Sequence, residues 1–402
     1  LNLAQRLNLH FGELKKREKG LPIWRQIMYL ACMLIDGGTR IEDFKQLASD
    51  EGWKKIREED SMMAVRTVRD LLYRFGEEDL KQFEKLHRRL TCRIAKKTKT
   101  PETATIDVDA TFIEAHKQEA KYSYHKEPGF YPMLGFWAET GLTIEAKFRE
   151  GNESPASGAM PFLLKIIEGL PEEIKQIRLR SDAAWYQAEV MDYCDQHKIK
   201  FAIGGKQSEP MMQTIEGIPI EQWETWSTDE EVLKQHPEQK EWQIAETVHS
   251  LTGSSGSHRV VVIRKPYPGL ELFKEIHAYN IVITNMDWDK RHLIRWYWER
   301  CNSENWHKEL KYGFGLNQLP SSKYLPNATY FHIAVLAFNL VQALKRIKLD
   351  NKWHYLTIKT LRYHLFHVAG LVVHHARRWI LKLFHRYPNY DLFLNILCPR
   401  PT

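Results

Sequence analysis

The sequence predicts an α/β protein with helical regions at both ends. Three observations carry that prediction: alternating or β-branched runs fill the middle of the chain, helix-period runs separate them, and the two ends show only three- and four-residue apolar spacing. Residues 1–100 read as helical. WRQIMYLACMLIDGG and VRTVRDLLYRFGEEDLKQFEKLHRRLTCRIAKK have the spacing, and Gly37-Gly38 ends the first of them. After the connector KTKTPETA, TIDVDATFIEA alternates strictly, with Ile106, Val108 and Ala110 on one face and Asp107 and Asp109 on the other.

YPMLGFWAET and LTIEAKFRE follow as a hairpin about Gly141, then SGAMPFLLKIIEGLP as a helix. IKQIRLRSDAAW is a strand running into a loop, YQAEVMDYCDQHK a helix and KFAIGG a strand. The order β-β-β-α-β-α-β makes residues 101–205 the first part of a mixed core. Residues 206–275 break the rhythm with short alternating runs between LTGSSGS and PYPG, which predicts a β-rich insertion. The core resumes over 276–345 with the strand AYNIVITN and one long helix, DKRHLIRWYWERCNSENWHKELKYG; residues 346–402 read as helical again.

A chain of 402 residues is long enough for more than one domain. Its 43% hydrophobic and 27% charged residues are ordinary for a soluble protein, no run approaches the ~20 apolar residues of a membrane span, and no signal-peptide pattern shows. The opening on Leu1 rather than Met is what trimming upstream would leave. Cys32, Cys92, Cys194, Cys301 and Cys398 are scattered without CxxC or Cys/His clusters, which argues against zinc and disulfides, favours small buried residues, and fits a reducing cytoplasm. A net charge of +7 permits nucleic-acid binding without diagnosing it. Basic residues cluster toward the ends: Lys15, Lys16, Arg17 and Lys19; Arg88, Arg89, Arg93, Lys96, Lys97 and Lys99; Lys345, Arg346, Lys348, Arg377, Arg378, Lys382 and Arg386. A polyanion could meet both ends, although solvated helix faces account for any one cluster equally well.

The long helix carries the first chemical signal. Tyr297, Arg300, Glu304 and Lys311 stand at i, i+3, i+7 and i+14, within a stripe of about 60° on a regular helix. Alone, such a stripe is an ordinary solvated face. Asp109 ends the first core strand and Asp182 directly follows QIRLR, and active groups of α/β sheets gather at strand ends. Three carboxylates at one spot form an oxygen-only ligand set suited to Mg²⁺ or Mn²⁺. Two such ions could activate a water or a 3′-hydroxyl and stabilise the leaving oxygen of a phosphodiester. Arg300 and Lys311 would hold phosphates, and Tyr297 could bond one.

The spacing Tyr-x2-Arg-x3-Glu-x6-Lys resembles the YREK signature of bacterial cut-and-paste insertion-sequence transposases of the DDE superfamily. IDVDAT resembles that family's first-Asp strand, RLRSDAAWY its second, and KFREGNESPASGAMPFL its R-x-G-N segment. GFGLNQLPSSKYLPNATYFHIAVLAFNLVQAL shares its texture, so the resemblance spans roughly 104–345. It implies a ribonuclease-H-like core interrupted by a β-rich insertion. It further implies Asp109, Asp182 and Glu304 as catalytic ligands of two Mg²⁺ ions, for which Mn²⁺ substitutes, and Tyr297, Arg300 and Lys311 as contacts to double-stranded transposon-end DNA. Cleavage at inverted repeats and joining to target DNA by a homodimer in a bacterial, nucleoid-associated setting complete the expectation; many relatives pass through a DNA hairpin. Asp107 shares the face of Asp109 and is the alternative first ligand, with Asp109 preferred as the Asp of the D-A-T triplet. Cys301 departs from relatives that place Trp after the signature Arg.

Bland readings stand beside these. Trp288, Trp296 and Trp298 could stack on an extruded base but are more often core. His364, His367, His374, His375 and His385 read as helix-surface or DNA-facing residues, and Asn152 as a turn residue. The N-terminal helices could hold a helix-turn-helix-like reader or be a packing or dimerisation layer. A nuclease without strand transfer, or a domesticated DNA-binding protein, would share most of this sequence.

Overall fold

The computed structural model describes residues 2–15, 20–59, 62–124, 126–267, 277–384 and 386–397. Lys16, Arg17, Lys19, His385, Cys398 and the 268–275 end of the expected insertion lie outside the described residues.

The N-terminal apolar spacing forms α1 (Leu3–Phe11), α2 (Ile23–Asp36), α3 (Phe44–Ser49), α4 (Glu51–Ile56), α5 (Val65–Leu72) and α6 (Glu77–Lys97). Gly37 ends α2 at φ 116°, where a side chain would be strained, and the Gly38 N–H closes back on the Met33 carbonyl at 2.9 Å. In α6, Glu77, Glu78 and Asp79 occupy the first turn and Lys96 and Lys97 the last, each sign matching the helix dipole.

β1 (Thr103–Ala110) opens the sheet, and β2 (Ile113–Glu114), β3 (Lys121–Tyr122) and β4 (Pro128–Phe130) form a small sheet beside it. There follow β5 (Met133–Trp137), β6 (Leu142–Lys147), α7 (Ala159–Glu168), β7 (Gln176–Ser181), α8 (Ala188–Gln196) and β8 (Lys200–Gly204). β1 runs parallel to β7, and β7 to β8; β5 lies antiparallel to both β1 and β6. The spatial order β6-β5-β1-β7-β8 is the ribonuclease-H-like arrangement, so the expected fold class holds.

The 206–275 interval is more helical than its composition suggests. α9 (Glu209–Glu216), β9 (Glu224–Thr225) and α10 (Glu230–Gln235) precede β10 (Gln243–His249) and β11 (His258–Pro266). α9 and α10 are shorter than the window over which helical periodicity is readable. Its strands do not stand apart: β12 (His277–Thr284) pairs antiparallel with β8, and β11, β10 and β9 extend the same sheet to nine strands.

The long helix expected over 289–313 is broken. α11 (Lys290–Trp298) stops, α12 (Cys301–Lys308) restarts, and residues Glu309–Gly313 widen into a π turn. Beyond them lie α13 (Tyr324–Lys348), α14 (Asn351–His354), α15 (Ile358–Leu361), β13 (Gly370–His375), β14 (Arg378–Leu383) and α16 (Tyr390–Leu397). The C-terminal region is therefore not wholly helical, and His374 and His375 sit on a strand. Its two-residue turn uses Ala376 and Arg377 at φ 49° and 61°, a left-handed pair without the Asn or Gly that normally marks such hairpins in sequence.

α13 is apolar nearly all round, the mark of a helix enclosed by protein. It lies between the sheet and the N-terminal helices: Phe83 and His87 of α6 stack on His332, and Phe136 of β5 meets Phe338. α2, α6 and α13 share one continuous core with Leu134 and Phe136, which makes the N-terminal helices a packing layer on this face of the sheet. Arg88, taken in sequence as part of a basic cluster, is buried against Glu145, and Lys345 is buried with its ammonium on the Leu356 carbonyl. Asn339 fixes α13 to β6, its Oδ1 accepting the Thr143 N–H at 2.9 Å while its Nδ2 donates to the Thr143 carbonyl at 2.8 Å. Replacing it strands two buried backbone groups, so Asn339→Leu is expected to lower the unfolding free energy by about 2–4 kcal/mol in urea titrations. A change under about 0.5 kcal/mol would mean that α13 is not held there.

Candidate active site

The site begins with a register. Val108 lies opposite Ser181 in the parallel β1–β7 pair, so Asp109 and Asp182 leave adjacent strands at the same end. Asp182 cannot continue the strand: its Oδ1 accepts the Ala184 N–H at 3.0 Å and caps the short turn Ala183–Trp185. The cap role and the site position are one geometry, because capping fixes the carboxylate at the strand end.

Asp109 and Asp107 share a sheet face but not an environment. Asp107 is fully buried, and both its oxygens are taken by Arg180, Nε to Oδ1 at 2.6 Å and Nη2 to Oδ2 at 2.9 Å. Burial pushes its carboxyl up to about 6 against the pull of that guanidinium. Asp109, one pleat further, uses Oδ1 to accept the Ala110 N–H at 2.9 Å. Its Oδ2 faces Arg300 Nη1 at 3.6 Å and His307 Nε2 at 3.8 Å, both beyond hydrogen-bond reach. Burial first, then the neighbouring charge of Asp182, pushes Asp109 up to about 6, with Glu304 adding to the push and Arg300 opposing it.

The helix break aims the remaining groups. Where α11 ends, the Arg300 N–H bonds the Tyr297 carbonyl at 3.0 Å instead of the Trp296 carbonyl. The freed Trp296 oxygen accepts Arg180 Nη1 at 2.6 Å, and Glu299 approaches the same nitrogen at 3.3 Å. Tyr297 points inward, its hydroxyl donating to the Ser181 carbonyl at 3.1 Å. Gly204 is required beneath it, since a Cβ there would lie 2.9 Å from that hydroxyl. Glu304 is exposed on α12. Arg300 is partly buried, and although burial works against its charge, Tyr297, Asp109 and Asp182 hold it above its ordinary value. Lys311 is lowered by burial, with Asp109 pulling the other way.

Several other expectations resolve. Trp298 packs edge-on to Trp226 and Trp296 edge-on to Trp288, with Arg180 over the Trp296 face, so these rings belong to a small core. Asn152 lies in a turn. In the same segment Arg149, the Arg of the R-x-G-N resemblance, is buried, its guanidinium bonding the Tyr131, Ser154 and Ser157 carbonyls; its spacing alone assigns it no role, because an arginine beside Gly and Asn reads as a surface loop. Cys301 is exposed, unlike the buried thiol expected of it.

Among the described residues no group of three His, Cys, Asp or Glu side chains is already gathered closely enough to hold a metal ion. The donor set nevertheless fits a hard cation. Two carboxylates leave adjacent strand ends, a third adds its charge, and the part-exposed Asp109 accepts no hydrogen bond at Oδ2 among the described residues. A cavity of about 970 Å³ bounded by Arg178, Lys308, Arg346 and Tyr355 contains none of the three, which lie at the open end of the sheet.

Residues 14–399 match the family described as transposase DDE domain, group 1. The fold is thus that of a DDE transposase domain, and the chain belongs to this family. Among solved structures it is similar to piggyBac transposase, in a cryo-EM synaptic complex with hairpin DNA, at 10% identity and a TM-score of 0.44, over 90% of this chain and 77% of that one. No curated protein matches. Among the described residues no helix is long and apolar enough to cross a membrane.

The raised Asp109 sets a pH dependence in chelator. The folded protein holds a proton between the ordinary 3.8 and about 6, so this group's contribution to stability falls as pH rises through that window. Asp109→Asn removes the penalty, and is expected to be more stable than wild type at pH 7.5 by about 1–3 kcal/mol. The gap should close by about pH 4 in thermal melts. A gap independent of pH would assign it to something other than this carboxyl.

Proposed function

We propose that this chain is a cut-and-paste transposase of the insertion-sequence type, cleaving DNA at transposon ends and joining the 3′ ends to target DNA. One observation carries the reading: Asp109 and Asp182 leave adjacent parallel strands in register, and Glu304 stands on α12, the helix that brings His307 to within 3.8 Å of Asp109. Asp109, Asp182 and Glu304 would hold Mg²⁺, or Mn²⁺ in its place. Asp107 is the poorer first ligand, because Arg180 occupies both its oxygens. Bound divalent ions supply activation of a water or 3′-hydroxyl and charge stabilisation on the leaving oxygen.

The chain's own residues supply the rest. Arg300 and Lys311, cationic and partly buried beside the carboxylates, receive backbone phosphates with little solvent to displace. Tyr297 acts from within: its bond to Ser181 holds the β7 end, and hence Asp182, in place. A site at the strand ends, with Glu304 exposed, suits a duplex end. Joining needs two ends at once, so the working assembly is a homodimer on DNA.

The test is cleavage and joining of labelled DNA carrying candidate ends, with Mg²⁺, comparing wild type with Glu304→Ala and Asp182→Ala. Both variants are expected to lose both steps by at least ~10³-fold, since metal-borne charge stabilisation is worth several kcal/mol. Cutting without joining would mark a nuclease. Binding without any metal-dependent product would mark a DNA-binding protein that has lost its chemistry. Lys311→Ala should weaken DNA binding evenly across sequences and lower the slope of log K against log salt by about 1. An unchanged slope would remove Lys311 from the phosphate contacts.

A further inference from the structure

One ionisable side chain of α12 has no part in the reading above. His307, three residues after Glu304, is buried, and its imidazole stands edge-on to Phe136 with ring centroids 5.1 Å apart. Among the described residues neither ring nitrogen has a hydrogen-bond partner. A buried polar atom left so costs about 1–3 kcal/mol. In either neutral tautomer the ring offers one N–H to a neighbour.

Asp109 is the complementary case. Its Oδ1 is satisfied by the Ala110 N–H, whereas among the described residues its Oδ2 has no donor within hydrogen-bond range. His307 Nε2 lies 3.8 Å from that oxygen. A buried donor without a partner thus stands about one ångström beyond a normal hydrogen bond from a part-exposed carboxylate oxygen that accepts from none of the described residues. A small turn of the carboxylate closes the gap.

We propose that His307 is a positioning residue for the metal centre: it donates Nε2–H to Asp109 Oδ2 when the carboxylate binds a divalent ion, fixing the carboxylate's orientation. The inference rests on Asp109 being a ligand. The carboxylate selects the Nε2–H tautomer, and Phe136 restrains the ring plane. Arg300, the other group facing Oδ2, remains available to phosphate.

The experiment is Mn²⁺ binding to the full chain, followed by the electron paramagnetic resonance signal of free Mn²⁺, with folding checked by circular dichroism. His307→Met keeps the volume and removes the donor; His307→Gln returns an N–H near the Nε2 position. His307→Met is expected to weaken Mn²⁺ binding about 10–100-fold, the range for loss of such a support, and His307→Gln to stay within about threefold of wild type. If His307→Met fails to fold, His307→Asn, whose amide stops one methylene short, takes its place with the same expectation. Wild-type affinity in the donorless variant overturns the proposal, as does equal weakening in His307→Gln. ¹⁴N hyperfine coupling to bound Mn²⁺ in wild type, lost in His307→Met, also overturns it, since the ring would then be a ligand. Binding abolished by Asp109→Asn but unaffected by His307→Met sinks only the role of His307. A wild type that binds no Mn²⁺ sinks the metal reading with it.

Discussion

Arg180 joins the two halves of the site. Its guanidinium closes the buried Asp107 carboxylate on one side and takes the Trp296 carbonyl, released by the helix break, on the other. A buried carboxylate and a broken helix would each be costly alone; one planar cation with five donors satisfies both. The consequence is positional. The β1–β7 pair becomes rigid just below Asp109 and Asp182, and α11 is clamped where the chain turns to present Arg300 and Glu304. Asp107, in this arrangement, supports the site rather than forming part of its open end.

Above that clamp the electrostatics change sign of purpose. Asp107 is paired, whereas Asp109 keeps one oxygen without a donor among the described residues and is raised by burial and by like charge. A site that holds carboxylates against their own repulsion has a standing demand for positive charge. Arg300 and Lys311 meet part of that demand from partly buried positions. A doubly charged ion meets it more fully, because its charge lies within coordination distance of the oxygens. In the proposed function, the same cations that restrain the carboxylates without the ion would receive phosphate when it is bound.

Much of this was legible in the sequence for a physical reason. Strict alternation around Asp107 and Asp109 can only put both on one sheet face, and the β-β-β-α-β-α-β order allows few sheets. The Tyr-x2-Arg-x3-Glu-x6-Lys spacing marks Arg300 and Glu304 as candidates, and its geometric rationale is incomplete. A straight helix was assumed, while the real segment is two helices and a π turn. The break leaves no local mark, since Glu299 and Arg300 are good helix formers; it exists because Arg180, 116 residues from Trp296 in the chain, captures the freed carbonyl. Arg149 and His307 carry no role legible in the sequence for a related reason. Their types are common at surfaces, and only packing reveals them as buried.

The sequence by itself determined the secondary-structure period of each core segment, the α/β class and the identity of the candidate residues, because these follow from side-chain spacing along one local stretch. Only the tertiary structure decided which of two aspartates faces the open end. Alternation places Asp107 and Asp109 on one face, but the partner at each level comes from the parallel register with β7, where Arg180 stands opposite Asp107. It likewise decided that the N-terminal helices are a packing layer, that the inserted strands extend the main sheet, and that Tyr297 turns inward. Each of these is a contact between residues far apart in the chain, and no local pattern encodes who the distant partner is.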